Sequence, residues 1–312
     1  MATKLDHFVI KRRARKQLAS KYDKSAFIFL LPWLIGLVGL TVGPMIASLY
    51  LSFTNFDLLQ PPKWVGLSNY KKMLTSDPNF AESVRVTAIF VFSSVPFRIV
   101  FALFIAMLLN RKIKGIGVYR SAYYVPSLIG GSIAVSIMWR NIFGQTGLVN
   151  TVLGLVGIHG PDWLGDPNYA LYVLSLLSVW QFGSTMVIFL AGLQQIPNSY
   201  YDASSIDGAS KVQQFFYVTI PMLSPVIFFN LIMAVIEGFM QFTQAFVITG
   251  GGPMNSTLLF ALYLYQQAFT NFQMGYASAM AWGLLIMIAI ITGLLFLTSK
   301  FWVHYEDGGD QS

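Results

Sequence analysis

Few residues in this 312-residue chain can do chemistry. There is no cysteine, and the three histidines, His7, His159 and His304, lie far apart. No H-E-x-x-H pair and no G-x-x-x-x-G-K-[ST] loop occurs, so zinc hydrolysis and P-loop nucleotide binding have no carriers, and thiol chemistry has none either. Acidic groupings are limited to Asp162/Asp166, which reads as a turn before Pro167, and to Glu306/Asp307/Asp310 near the C-terminus. Neither resembles the carboxylate cluster of a membrane enzyme. Two ionisable residues stand apart. Arg98 and Glu237 each sit inside a long apolar stretch, where a lone charge is expensive and marks a function by default. They can pair with each other, joining two helices, or pair with a partner chain or a ligand.

Polar residues accompany them. At 100° per residue, Asn230, Glu237, Gln241 and Gln244 fall within about 60° of one another, with Gly238 beside the carboxylate. A shorter stripe holds Ser178, Gln181 and Thr185, with Phe182 alongside. Amides and hydroxyls both donate and accept, as sugar hydroxyls do, and Trp180, Phe182 and Phe242 offer flat faces for sugar rings. The same stripes serve equally as hydrogen-bonding glue between helices in a membrane. A carboxylate such as Glu237 in a cavity disfavours an anionic substrate such as glycerol phosphate and fits a neutral sugar. An Arg98 facing the same cavity weakens that argument.

The elements that must position these residues are set by composition. Hydrophobic residues make up 55% of the chain and charged residues 11%, against about 25% in a typical soluble protein. That excludes an ordinary soluble enzyme and a disordered chain, and predicts a polytopic membrane protein. Uncharged runs predict six helices, at about Ala26–Leu51, Val84–Asn110, Tyr119–Asn141, Tyr169–Gln194, Pro221–Thr249 and Met274–Phe301. Between the last two, Thr249-Gly250-Gly251-Gly252-Pro253 and the polar residues up to Gln273 predict a re-entrant or external loop. Residues 1–25 carry eight Lys or Arg, and Arg111, Lys112 and Lys114 follow the second helix, whereas the 3–4 and 5–6 loops carry none. The positive-inside rule then places both termini, the 2–3 loop and the 4–5 loop in the cytoplasm. The formal net charge of +7 is thus a topology signal that can also touch anionic lipid, and nucleic-acid binding is not expected. The chain divides into a basic tail (1–25), a six-helix domain (26–301) and a short cytoplasmic tail (302–312).

The 195–220 loop is the most specific segment. Pro197 followed by Asn198 or Ser199 reads as a helix start, with Asp202 in the first turn. Ala203, Ser204 and Ala209 are small, so another surface can approach the backbone. Gly208 supplies a bend or C-cap, Phe215 begins a second apolar helix, and Pro221 enters the next span. The physical reading is two short helices joined at a glycine, lying at the membrane surface, which a plain amphipathic linker would also satisfy.

The order of residues in this loop closely resembles the E-A-A-x-x-x-G motif of permease subunits of binding-protein-dependent ABC importers. The matching positions are Ala203, Ile206, Asp207, Gly208, Ala209, Phe215, Ile220, Pro221, Leu223 and Pro225. Asp202, after Tyr201, replaces the usual Glu with a shorter stem, and Ser204 replaces the second Ala. The resemblance runs from about Ala26 to Phe301. It includes FLLPW at 29–33, WVGLSNY at 64–70, Trp180-Gln181, LQQIP at 193–197, TGGGP at 249–253 with Asn255-Ser256-Thr257, and GYASA at 275–279, the last two as in the carbohydrate branch. The large external insertion of the maltose-type member is not matched.

The resemblance implies an all-α, type I ABC importer permease fold with six transmembrane helices and cytoplasmic termini, in a bacterial or archaeal plasma membrane. It implies half of a heterodimeric pore for a di- or oligosaccharide, with a glycerol-phosphate or polyol permease as the nearest alternative and an ion-coupled secondary transporter as the rival outside the family. The implied partners are a second homologous permease, two ATP-binding cassette ATPase subunits and an extracytoplasmic solute-binding protein. This chain itself would do no chemistry and hold no cofactor. ATP and Mg would sit on the ATPase, which would grip Tyr201, Asp202, Ala203, Ser204, Ile206, Asp207, Gly208, Ala209, Phe215 and Pro221.

Overall fold

The computed structural model describes residues 27–111 and 114–304. The basic 1–25 segment, Lys112 and the acidic residues of the 302–312 tail lie outside the described residues.

Among the described residues, four helices are long and apolar enough to cross a membrane: Phe27–Ser52, Pro78–Leu109, Lys211–Ile248 and Met274–Ser299. Two further pairs reach that length only together. Ile116–Ile129 and Ile133–Ile142 meet at 98°, and Pro167–Trp180 and Gly183–Gln195 meet at 42°. Counted as bent spans, they bring the total to six, and the spans are numbered so below. The third and fourth runs are therefore broken where the sequence suggested continuous helices. In the third, Gly130-Gly131 interrupts the ladder and Ser132 starts the next helix by accepting from the Val135 amide at 3.3 Å. In the fourth the break falls at Gln181–Phe182, just before Gly183. The fifth has a milder interruption, ending its regular turns at Phe239 and resuming at Thr243.

The second span is the axis of the bundle. Phe90 and Ala102 on it are fully buried, as are Phe189 on the fourth span and Leu223 on the fifth. Small residues set the close approaches, as expected where packing rather than hydrophobicity drives association. A Cβ on Gly238 would lie 3.0 Å from Val91 Cγ2, and one on Gly192 would lie 2.9 Å from Leu223 and Val226. Arg120 on the third span donates to the Leu109 carbonyl at 2.9 Å, capping the C-terminal end of the second span with a cation.

The 248–273 segment folds inward. Leu258, Leu259, Phe260 and Leu262 are buried, and Thr87 Oγ1 on the second span accepts from the Phe260 amide at 2.8 Å. On the same end of the bundle, Thr54–Asn55 pairs antiparallel with Lys63–Trp64. There Asp77 caps the second span by accepting from the amides of Asn79 and Phe80 at 3.0 and 3.1 Å. It also accepts from the hydroxyls of Tyr263, at 2.7 Å, and Tyr276, so one carboxylate ties together the second span, the inward-folded segment and the sixth span.

Candidate functional site

The breaks in spans three, four and five converge on one cleft of about 420 Å³. Irregular backbone at membrane depth is tolerated only where it is buried in protein or lines a water-filled cavity. Here it does both. The Ser127 hydroxyl donates to the freed Gln181 carbonyl at 2.9 Å and accepts from the Ser184 amide at 3.1 Å. Gln181 Nε2 donates to the freed Gly130 carbonyl at 3.1 Å. Each break thus supplies the partner that the other lacks.

Of the residues singled out in the sequence, Ser178, Gln181, Glu237, Gly238 and Gln241 line this cleft, and so does Arg98. Arg98 and Glu237 form an ion pair, Nη1 to Oε2 at 2.8 Å, which joins the second and fifth spans. The pair is lopsided. The Arg98 side chain is 12% exposed and that of Glu237 52%. Phe182, Thr185, Asn230 and Gln244 do not line the cleft and are buried in the bundle. Phe182 packs edge-on against Phe101, with ring centroids 4.8 Å apart. Asn230 Nδ2 and Gln244 Oε1 have no hydrogen-bond partner among the described residues. The helical projection holds for Glu237 and, beyond the break after Phe239, for Gln241, but not for Asn230 or Gln244, which neighbouring helices cover. Ser127, Gly131 and Ser184 also line the cleft and were not anticipated. Their signal was the small-residue pattern at Gly130-Gly131 and Gly183-Ser184.

At the opposite end from Asp77, the 195–220 loop forms a short helix, Asn198–Ile206, and a tight reversal. Gly208 has φ +82°, a conformation natural to glycine. Ser210 then opens the next helix with a reciprocal cap. Its hydroxyl accepts from the Gln213 amide at 3.3 Å, and its amide donates to Gln213 Oε1 at 2.8 Å. This second helix starts at Lys211, ahead of the expected Phe215. Asp202, Ala203, Ile206, Asp207 and Gly208 are exposed, with Ile206 87% accessible, while Tyr201, Ser204, Ala209, Phe215 and Pro221 are partly covered. The covered side is held by a residue that sequence reasoning missed. The buried Gln214 amide group donates to the Tyr201 carbonyl, Ser204 Oγ and Ser205 Oγ at 3.2, 3.0 and 2.8 Å. Tyr201 in turn bonds Thr219 at 3.0 Å. The exposed helix is therefore fixed to the entry of the fifth span.

Comparison with known proteins decides what this architecture is. Residues 79–307 match the family described as binding-protein-dependent transport system inner membrane component. The chain belongs to that family. Among its relatives, the probable ABC transporter permease protein YesP of Bacillus subtilis is 54% identical over 289 residues, covering 92% of this chain and 94% of the relative. The lactose transport system permease protein LacF of Rhizobium radiobacter is 32% identical over 295 residues, covering 92% and 98%. A chain from the crystal structure of a bacterial ABC transporter involved in the import of the acidic polysaccharide alginate superposes with a TM-score of 0.77 at 20% identity, covering 92% of this permease and 98% of that chain, a likeness of fold. The permease's homologues are thus sugar ABC transporter permeases, and its exposed 198–216 loop is consistent with the coupling-helix motif of the family.

Proposed function

We propose that this permease is one half of a heterodimeric pore in a bacterial plasma membrane, importing a di- or oligosaccharide at the expense of ATP. The observation that carries this reading is the cleft itself. It forms where three spans break, and it presents hydroxyls, two amides and an ion pair beside Ile236 and Met240. Relatives named for lactose, starch degradation products and arabinooligosaccharides support a carbohydrate cargo. An extracytoplasmic solute-binding protein delivers the sugar. ATP and Mg are bound by two partner ATPase subunits, and this chain needs no cofactor of its own.

The 198–216 loop transmits the ATPase movement. Ile206, Asp202 and Ala203 face outward to a groove on the ATPase, while Gln214 and Tyr201 carry the displacement into the fifth span, whose broken end borders the cleft. Access alternates because spans three to five are already jointed there.

The test is affinity purification of the chain from its native membrane in mild detergent, beside a Gly208→Pro variant. Proline cannot adopt φ +82° and removes the amide that donates to Ser205. A second permease and a P-loop ATPase should copurify with the native chain, and the ATPase should be lost from the variant. Recovery of the chain alone, with uptake indifferent to ATP, would overturn the reading.

A further inference from the structure

The lopsided ion pair in the cleft bears on the charge of the cargo. Arg98 is enclosed, and its Nε has no hydrogen-bond partner among the described residues. A guanidinium held at membrane depth cannot shed its charge, so it requires an anionic partner in every state. Glu237 is in a different position. More than half of its side chain is exposed, it meets Arg98 through a single contact, and the cleft gives it solvated space to move into. The cation is fixed and the anion is exchangeable. Had both been buried, the pair would read as a permanent rivet between spans two and five. Had Arg98 been the exposed member, it would read as a surface charge.

We propose that Arg98 is a specificity residue that selects saccharides bearing a carboxylate, such as uronate-containing oligosaccharides, and that Glu237 is the stand-in anion the substrate displaces. This rests on the sugar-importer reading and narrows its substrate class. Arriving sugar carboxylate takes the place of Glu237 on the Arg98 guanidinium, while Glu237 swings into the cleft and keeps its hydration. Ser178, Gln181 and Ser184 then meet the ring hydroxyls. When the sugar leaves, Glu237 returns, so Arg98 is never left uncompensated. The sequence argument that a carboxylate in the cavity favours a neutral sugar is reversed by this geometry, because Arg98 lines the same cleft.

The experiment uses the assembled transporter in lipid nanodiscs without its binding protein. Equilibrium binding is measured for radiolabelled glucuronate, galacturonate and mannuronate disaccharides, each beside its carboxyl-reduced neutral counterpart. At least one acidic disaccharide should bind more tightly than its neutral partner. Arg98→Gln should erase that preference, lowering the ratio of acidic to neutral binding by roughly tenfold or more. Arg98→Lys should retain part of it. Glu237→Gln should tighten acidic binding, because the competing anion is gone. A merely structural pair predicts the opposite pattern, with both variants weakening acidic and neutral sugars alike, and that result overturns the proposal. So does a native protein that binds neutral members as well as acidic ones, which leaves the sugar-importer reading standing. A native assembly that binds no disaccharide of either kind also overturns the proposal, while the sugar-importer reading, in which a binding protein delivers the cargo, stands or falls on the copurification test.

Discussion

Gln214 makes three hydrogen bonds from one amide group while almost wholly buried. Ser204 and Ser205 would still donate to the Tyr201 carbonyl, at 2.9 and 2.7 Å, so loss of Gln214 removes only the link between the two short helices, at a cost of about 1 kcal/mol. The consequence concerns transmission more than folding. Gln214→Ala should leave the assembled complex intact by size-exclusion chromatography, yet lower ATP-driven uptake several-fold relative to ATP hydrolysed. Gly208 tests a neighbouring point. At φ +82° a Cβ is strained, so Gly208→Ala should cost about 1–2 kcal/mol and lower the melting temperature of the purified chain. Unchanged melting would show that the reversal relaxes to another turn. The loop's importance was legible in its residue order, but Gln214 was not. Nothing in the string Val212-Gln213-Gln214-Phe215 distinguishes a glutamine facing out from one folded back onto the previous helix.

Most helix ends were legible because the length of an apolar run is a direct physical signal. The fifth span is an exception: it starts at Lys211, well ahead of the expected Pro221, because the polar Lys211–Gln214 turn continues directly into it. The second was expected at Val84–Asn110 and is observed at Pro78–Leu109, its start moved outward by the Asp77 cap. The breaks were not legible as breaks. A glycine pair inside an apolar run reads as tolerated, and what makes an interruption affordable at Gly130 is the amide of Gln181, 51 residues away. Such a partner belongs to the tertiary structure and leaves no local trace. Gly183 shows how tight the joint is. A Cβ there would lie 2.7 Å from both Ser127 Oγ and the Tyr123 carbonyl, so Gly183→Ala must push spans three and four apart. The expected loss is about 1–3 kcal/mol, read as a lower melting temperature in detergent, together with impaired uptake. An unaltered variant would mean that the joint has slack.

Across the whole molecule, the joined ends differ in character. One end is tied by the Asp77 carboxylate. Burial alone would raise that carboxyl, but the hydroxyls of Tyr276 and Tyr263 and the amides of Phe80 and Asn79 outweigh it and hold the group below its ordinary 3.8. A carboxylate depressed in the folded state stabilises the protein above its unfolded value, and that contribution is lost as pH falls through the folded one. The clasp should therefore be fully present at neutral pH and weaken below about pH 4. Hydrogen exchange across residues 258–276 should speed up over that window, and Asp77→Asn should show the fast exchange already at pH 7. If the variant stays protected, the tyrosines hold that end without the charge.

The ion pair in the cleft has an electrical consequence as well. A membrane potential does work on any net charge carried through it, about 2.3 kcal/mol per elementary charge for each 100 mV. Arg98 and Glu237 lie on different spans but cancel at a separation of 2.8 Å. While the pair is closed, this doublet presents the field with almost nothing to pull on, and when Glu237 swings aside the two charges still sum to zero. Voltage can then act on the pathway chiefly through the cargo, so any dependence of uptake on membrane potential becomes a reading of the charge that the sugar itself brings in.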